Sequence, residues 1–598
     1  MWKVYKQLYD LLEPRERRQA ALLFCLILFM ALLVMSSVAS VMPFVAVLAN
    51  PRIVETNRYV AAVYQKLGFT NPHDFLFFLG LFLLAAVLLS TAFKALTSYA
   101  MLRFSNIRQY TLSQRLFKGY LQRYYEWFLG RHTADLAKSL LSEVQQVIVG
   151  GLVPAMQLVS QAIVTALIIV LLVVVDPYLA MIVSLILGTF YFLIFWASRK
   201  YLTRIGEGRL NANRERFRIG QEVLGGIKDV KMRGMEDVFL RRFKDPSLRL
   251  ARYAASGHII AQMPQYALHA IGTAGILLIV EYQLYRHNSS DEILPIIALY
   301  AFAGYRLMPA VQRIYQSVAA LRFSGPAIDS LHRDLQAASS ELGDKFDGYE
   351  RLPPLAEGIR LEKLFYRYPN AQSQVLYGVD LTIPAKATVG FVGSTGAGKT
   401  TAADVLLGLL RPESGQLVVD GTPITDETRR RWRRCLGYVP QHIFLVDATV
   451  AENIAFGIPS EQIDFEAVEQ AARAANLHNF VVNELEQGYQ TMIGERGIRL
   501  SGGQRQRVGI ARALYHNPDV LIMDEATSAL DNLTEKAVME AVMNLGKKKT
   551  IVLVAHRLST VRRCDIIFMF EQGRIIASGS YDELVDNSEH FRAMALVN

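Results

Sequence analysis

Residues Gly393 to Thr400 read Gly-Ser-Thr-Gly-Ala-Gly-Lys-Thr. The run fits G-x-x-x-x-G-K-[ST], a loop that cradles nucleotide phosphates. Gly393, Gly396 and Gly398 let the backbone turn its N–H groups inward, and Ser394, Thr395 and Ala397 carry further N–H groups in the same arc. Lys399 is placed to reach the β- and γ-phosphates, and Thr400 to offer its hydroxyl to Mg²⁺, with Thr401 following. Such a loop requires a strand before it and a helix after it. Thr388 to Val392 is an apolar run that reads as a buried strand, and Thr401 to Leu410 reads as a helix whose N-terminus favours an anion.

A second constellation follows. Leu500-Ser501-Gly502-Gly503-Gln504 precedes a helical stretch, Gln504 to Tyr515, and then an apolar strand, Val520 to Met523, that ends in Asp524-Glu525. With the phosphate loop, this order resembles the ATPase domain of ABC transporters over roughly Leu361 to Ser580. The resemblance implies a role for each station. Tyr368 stacks on adenine, a contact tolerant of base type. Gln441 touches Mg²⁺ and the attacking water. Asp524 orients the metal, a hard ion suited to oxygen donors. Glu525 acts as general base or as the group that polarises the water, and His556 contacts the γ-phosphate, while Asp531 belongs to the loop joining two ATPase halves. Ser501, Gly502, Gly503 and Gln504 cap the ATP held by a partner's phosphate loop. One ATPase domain per chain therefore implies a dimer with two sandwiched ATPs, and the intact stations favour a homodimer.

The chain has 598 residues, 52% of them apolar, and its apolar excess lies before Phe323. Six runs meet the roughly 20-residue spanning length: 20–48, 75–102, 148–175, 178–198, 258–285 and 293–322. Six such runs with charged separators exclude a soluble protein. The net charge is +10. It is spread over the segments between runs, as at Arg214, Arg216, Arg218, Lys228, Lys231, Arg241, Arg242 and Lys244, which argues against a nucleic-acid partner. The segments 103–147 and 199–257 are basic, and 49–74 and 286–292 are not. The positive-inside rule then puts both termini and the ATPase domain in the cytosol. The first run is too long for a signal peptide. Cys25, Cys435 and Cys564 stand apart and suggest neither disulfides nor a metal site.

The expected fold is a polytopic α-helical membrane domain of six spans, ABC exporter type, plus an α/β P-loop ABC ATPase domain. The expected boundaries are 1–325 for the membrane domain, 326–355 for a polar linker and 356–598 for the ATPase domain. By the resemblance, the long cytosolic segments carry short coupling helices near Tyr125 to Asp135 and near Glu222 to Lys231. Gly494-Glu495-Arg496-Gly497 resembles the exporter-type loop that touches them. The architecture implies an ATP-driven exporter working by alternating access in a bacterial inner membrane.

Three features bear on the cargo. Pro51 to Gly68 reads as an amphipathic outer helix, with Val60, Tyr64 and Leu67 on one face, or as an ordinary loop. Lys94 and Arg306 fall within spans, where charges usually face a cavity or partner, or else snorkel to the interface. Tyr305-Arg306-Leu307-Met308-Pro309 and Asn50-Pro51 resemble the flippases of lipid-linked oligosaccharides that serve bacterial protein N-glycosylation. That resemblance implies a polyprenyl-pyrophosphate cargo, with Arg306 and Lys94 on the pyrophosphate. A multidrug or lipid A exporter is the alternative.

Overall fold

The computed structural model describes residues 2–286, 290–340, 350–369, 371–526, 532–546, 548–555 and 557–597. The chain divides into two compact units. One comprises Met1–Leu121 with His132–Glu341, the other Gln122–Arg131 with Leu342–Asn598.

The first unit is helical. Pro14–Ala49, Pro72–Leu121 and Thr133–Val175 are each long and apolar enough to cross a membrane, and they contain the first three expected spans. The fourth lies inside the helix Pro177–Gly225, 49 residues long. It starts sharply because Pro177 sits at the first turn and the Asp176 side chain accepts from Leu179 N at 3.1 Å. The fifth crosses from Glu236–Gln262 into Pro264–Arg286, and the sixth lies inside the helix Ser290–Ser340. That last helix continues through the first half of the stretch expected as a polar linker, where Ala327, Ile328, Leu331 and Leu335 are buried.

Helix packing follows from residues spaced one turn apart. Met30, Val34 and Val38 meet Val164, Ile168 and Leu172, and both rows meet Leu299, Ala303 and Leu307. Close approach matters at Gly206, where a Cβ would stand 2.2 Å from the carbonyl oxygen of Phe323. Further along the helices, charges are buried in pairs. Glu16 contacts Arg108. Glu143 accepts from Arg209 at 3.1 Å and from Asn213 Nδ2 at 3.2 Å. Glu143 ends a π-helical turn, Ser139–Glu143, and a second such turn spans Ile148–Leu152.

The segment expected to lie outside is two helices, Ile53–Thr56 and Arg58–Lys66. Asn57 divides them, its side chain accepting from Tyr59 N at 3.0 Å as an N-cap. Val60 and Tyr64 pack on Val47, Val54 and Phe75, while Leu67 is exposed.

The second unit holds two sheets. β1 (Gly358–Tyr366), β2 (Leu376–Pro384), β4 (Ser414–Val419) and β5 (Thr422–Pro423) form an antiparallel sheet in the order β2-β1-β4-β5. β3 (Thr388–Gly393), β6 (Leu436–Val439), β7 (Val520–Asp524), β8 (Thr550–Val554), β9 (Ile566–Glu571) and β10 (Arg574–Gly579) form the other, in the order β10-β9-β3-β8-β7-β6. Strands β9, β3, β8, β7 and β6 run parallel. β3, β7 and β8 are buried at every residue, as strands covered on both faces should be.

Candidate functional site: the phosphate loop and its neighbours

The loop leaves the carboxyl end of β3, where parallel sheets bind their ligands. Gly393 has φ of 143°, and a Cβ there would lie 2.1 Å from Phe570 O. Gly396 and Gly398 have φ of 82° and 100°. Only glycine takes such angles cheaply. Ser394, Thr395, Gly396 and Thr400 are exposed, and Ala397, Gly398 and Thr401 are buried. The helix Lys399–Leu406 follows. It ends earlier than expected, because Gly408 turns left-handed (φ 65°) and Leu409 N returns to Asp404 O at 2.9 Å.

Lys399 is 4% exposed. Its ammonium donates to the carbonyls of Gly393 at 2.8 Å and Ser394 at 2.9 Å. Burial pulls its pKa down, opposed by the charges of Glu525 and Asp524. Asp524 ends β7 and is buried. Glu525 comes next with φ of 49°. A glutamate in the left-handed region is strained, and such strain gathers at functional sites. Its N–H donates to Val554 O at 3.0 Å. Gln441 Nε2 donates to Glu525 Oε2 at 2.7 Å. The structure therefore brings Lys399, Asp524, Glu525 and Gln441 around the phosphate loop.

Tyr368 donates to or accepts from Thr401 Oγ1 at 3.0 Å and meets Tyr366 edge-on at 5.1 Å. Ser501 caps the helix Gly502–Tyr515 in a reciprocal box, Gln504 N to Ser501 Oγ at 3.2 Å and Ser501 N to Gln504 Oε1 at 2.8 Å. Gly503 lies in that first turn. Asp531 and His556 lie outside the described residues.

Two groups went unmarked in the sequence. Asp404, on the phosphate-loop helix, has its carboxyl pushed up to about 6, first by burial and then by the charge of Asp524. Tyr124 and Glu126 grip Arg411. Its guanidinium lies 3.9 Å from the Tyr124 ring centre, and its backbone N–H donates to Glu126 Oε1 at 2.5 Å. Glu126, Arg411 and Tyr368 line one cavity of about 560 Å³. The visible signal was the aromatic run Tyr124-Tyr125-Glu126-Trp127-Phe128, flanked by Arg123 and Arg131.

Residues 376–528 match the ABC transporter family, and residues 23–282 match the ABC transporter transmembrane region. An ATP-dependent lipid A-core flippase of Cupriavidus pinatubonensis is 31% identical over 466 residues, 77% of each chain. This chain is an ABC transporter. Another ATP-dependent lipid A-core flippase, from Saccharophagus degradans, is 33% identical over 400 residues, and the match spans 66% of each chain, just under two thirds. A bacterial Atm1-family ABC exporter with ATP bound shares the fold at TM-score 0.78 and 22% identity, over 97% of this chain and 98% of that one. The transporter thus pairs an ABC transmembrane region with an ABC ATPase unit.

Proposed function

We propose that the transporter flips a glycolipid bearing phosphate groups, of the lipid A-core class, across a bacterial inner membrane. The observation that carries this is the gathering of Arg306 and Arg313 around Lys94, both near enough to act on its charge. Lys94 and Arg306 are half-buried, and among the described residues none of the three has an acidic partner. Arg306 lies 5.6 Å from the Phe302 ring centre. Like charges inside spanning helices are costly without an anion. Arginine's planar fork suits phosphate. The names of the relatives support a lipid A-core cargo over a polyprenyl-pyrophosphate oligosaccharide. The oligosaccharide remains the second reading, because the same cations suit a pyrophosphate. Lipid A-core added to the purified transporter should stimulate its ATPase. Arg306→Ala should abolish that stimulation; full stimulation in the variant would remove the cluster from the cargo path.

The proposed engine is a homodimer with both termini cytosolic. ATP lies on the N–H groups of 393–398 and on Lys399, with Tyr368 against the base. Ser501 to Gln504 of one protomer would close over the ATP of its partner. Mg²⁺ fits the residues present. The buried Asp524 carboxylate, the exposed Thr400 hydroxyl and the Gln441 amide are hard oxygen donors that leave positions for phosphates and water. The ion would supply charge neutralisation at the phosphates. Glu525, aimed by Gln441, would take the proton of the attacking water. The short helices Tyr125–Leu129 and Ile227–Arg233 are the proposed couplers. ATP drives the cycle only if it binds the closed dimer more tightly than the open one.

A further inference from the structure

The helix Trp2–Asp10 is amphipathic, with Gln7 and Leu8 buried and Trp2 and Tyr9 exposed. Tyr5 ties it down by donating to Ala155 O at 3.1 Å. Between this helix and the spanning helices lies a nearly wholly apolar cleft of about 180 Å³, lined among others by Tyr9, Ala20, Phe24, Ile27, Phe104 and Met156. On the helix Pro14–Ala39, Arg17 falls on the same stripe as Ala20, Phe24 and Ile27, at spacings of three, seven and ten residues. Arg17 therefore stands at the end of an apolar row. Its Cζ lies 4.3 Å from the centre of the Tyr9 ring, which lines the cleft. Its Nε donates to Leu12 O at 3.0 Å, and its two Nη groups hold no hydrogen bond among the described residues.

The same two helices carry further cations. Lys6, Arg15 and Arg18 are exposed and carry no ion pair among the described residues. The nearby acids are engaged within the chain. Glu16 holds Arg108, Glu13 lies 3.6 Å from Arg115, and Asp10 lies 3.6 Å from His332. A guanidinium at the end of an apolar row, over a ring that lines the cleft, complements one kind of molecule: an anion with a hydrocarbon tail.

We propose that this cleft binds a glycerophospholipid with an acidic headgroup, one acyl chain lying along Ala20, Phe24 and Ile27 and the phosphate on Arg17. The lipid is a resident of the membrane and not the cargo. Its leaflet, the cytoplasmic one, rests on the proposed orientation; its binding does not. The bound lipid would pin the amphipathic helix at the membrane surface.

The test is native mass spectrometry of the full-length transporter with phosphatidylglycerol and phosphatidylcholine of identical acyl chains. Phosphatidylglycerol should be retained in preference. Arg17→Gln should weaken that retention about fivefold, the effect of one cation near an anionic group. Ala20→Leu, which fills the cleft, should lower retention of both lipids, and Arg306→Ala should change neither. Equal retention of the two lipids, or unchanged retention in Arg17→Gln, would overturn the site even if Ala20→Leu fails to fold. Displacement of phosphatidylglycerol by added lipid A-core, or its loss in Arg306→Ala, would overturn it too, by making the cleft part of the cargo path.

Discussion

Gln441 and Glu525 are joined by a 2.7 Å hydrogen bond, Nε2 to Oε2. Glu525 is held there from two sides. Its backbone is fixed in a left-handed turn beside β8, and its carboxylate is fixed by an amide from the end of β6. A carboxylate so constrained, as the proposed base, can aim at a water without first reorganising. Glu525→Gln should retain ATP binding while lowering turnover roughly 10²- to 10⁴-fold, the usual worth of a general base. Gln441→Ala should lower turnover less, by roughly tenfold, because the carboxylate remains but is no longer aimed. Single-turnover hydrolysis beside nucleotide-binding titrations separates the two. Equal binding and full turnover in Glu525→Gln would remove it as the base.

The phosphate loop is built around Gly393. Its φ of 143° and the 2.1 Å approach of a hypothetical Cβ to Phe570 O leave no room for a side chain. Gly393→Ala should destabilise the ATPase unit by about 3 kcal/mol or more, through clash and backbone strain together. Thermal unfolding of the variant beside wild type would show it. A variant as stable as wild type would mean the loop relaxes around the methyl group.

Asp404 gives stability a pH dependence. Its carboxyl titrates at about 6 in the folded protein against a usual value of 3.8. The folded state therefore holds the proton more tightly, and stability falls as pH rises between those values. Asp404→Asn should raise stability at about pH 8, by at most about 3 kcal/mol, with the gain fading below about pH 4. Unfolding midpoints at several pH values test this. A gain that does not vary with pH would point to packing instead of charge.

Tyr124 and Glu126 hold Arg411 by a cation–π contact and hydrogen bonding, beside the cavity that Tyr368 lines. If the helix Tyr125–Leu129 is a coupler, Arg411→Ala should leave basal ATPase within about twofold and remove most of its stimulation by lipid cargo. Comparable losses of basal and stimulated rates would assign Arg411 to the nucleotide site itself.

Much of the candidate site's geometry was legible because its residues carry local geometry in their types. Gly393, Gly396 and Gly398 require unusual backbone angles, and Ser501 with Gln504 spells a capping box. The apolar runs before Asp524 and before the phosphate loop are short, as buried strands are. What was not legible depends on partners distant in sequence. The Asp404 shift comes from burial and from Asp524, and the Arg411 grip comes from Tyr124 and Glu126, far along the chain. The segment 51–68 shows a smaller limit. Its periodicity marked a helix, but Asn57 caps within it and divides it. Val60 and Tyr64 then turn onto Phe75 while Leu67 stays exposed. Likewise Gly408 ended the phosphate-loop helix before Leu410, a stop that only its left-handed angle reveals.

The most direct test of the account is translocation in proteoliposomes. The purified transporter would be supplied with labelled lipid A-core or labelled polyprenyl-pyrophosphate oligosaccharide, with and without ATP, beside Glu525→Gln and Arg306→Ala. The expected result is ATP-dependent movement of lipid A-core that both substitutions abolish. Movement of the oligosaccharide alone would transfer the cargo to the second reading. Robust ATP hydrolysis with neither glycolipid moved would contradict the claim that this exporter carries phosphorylated glycolipids.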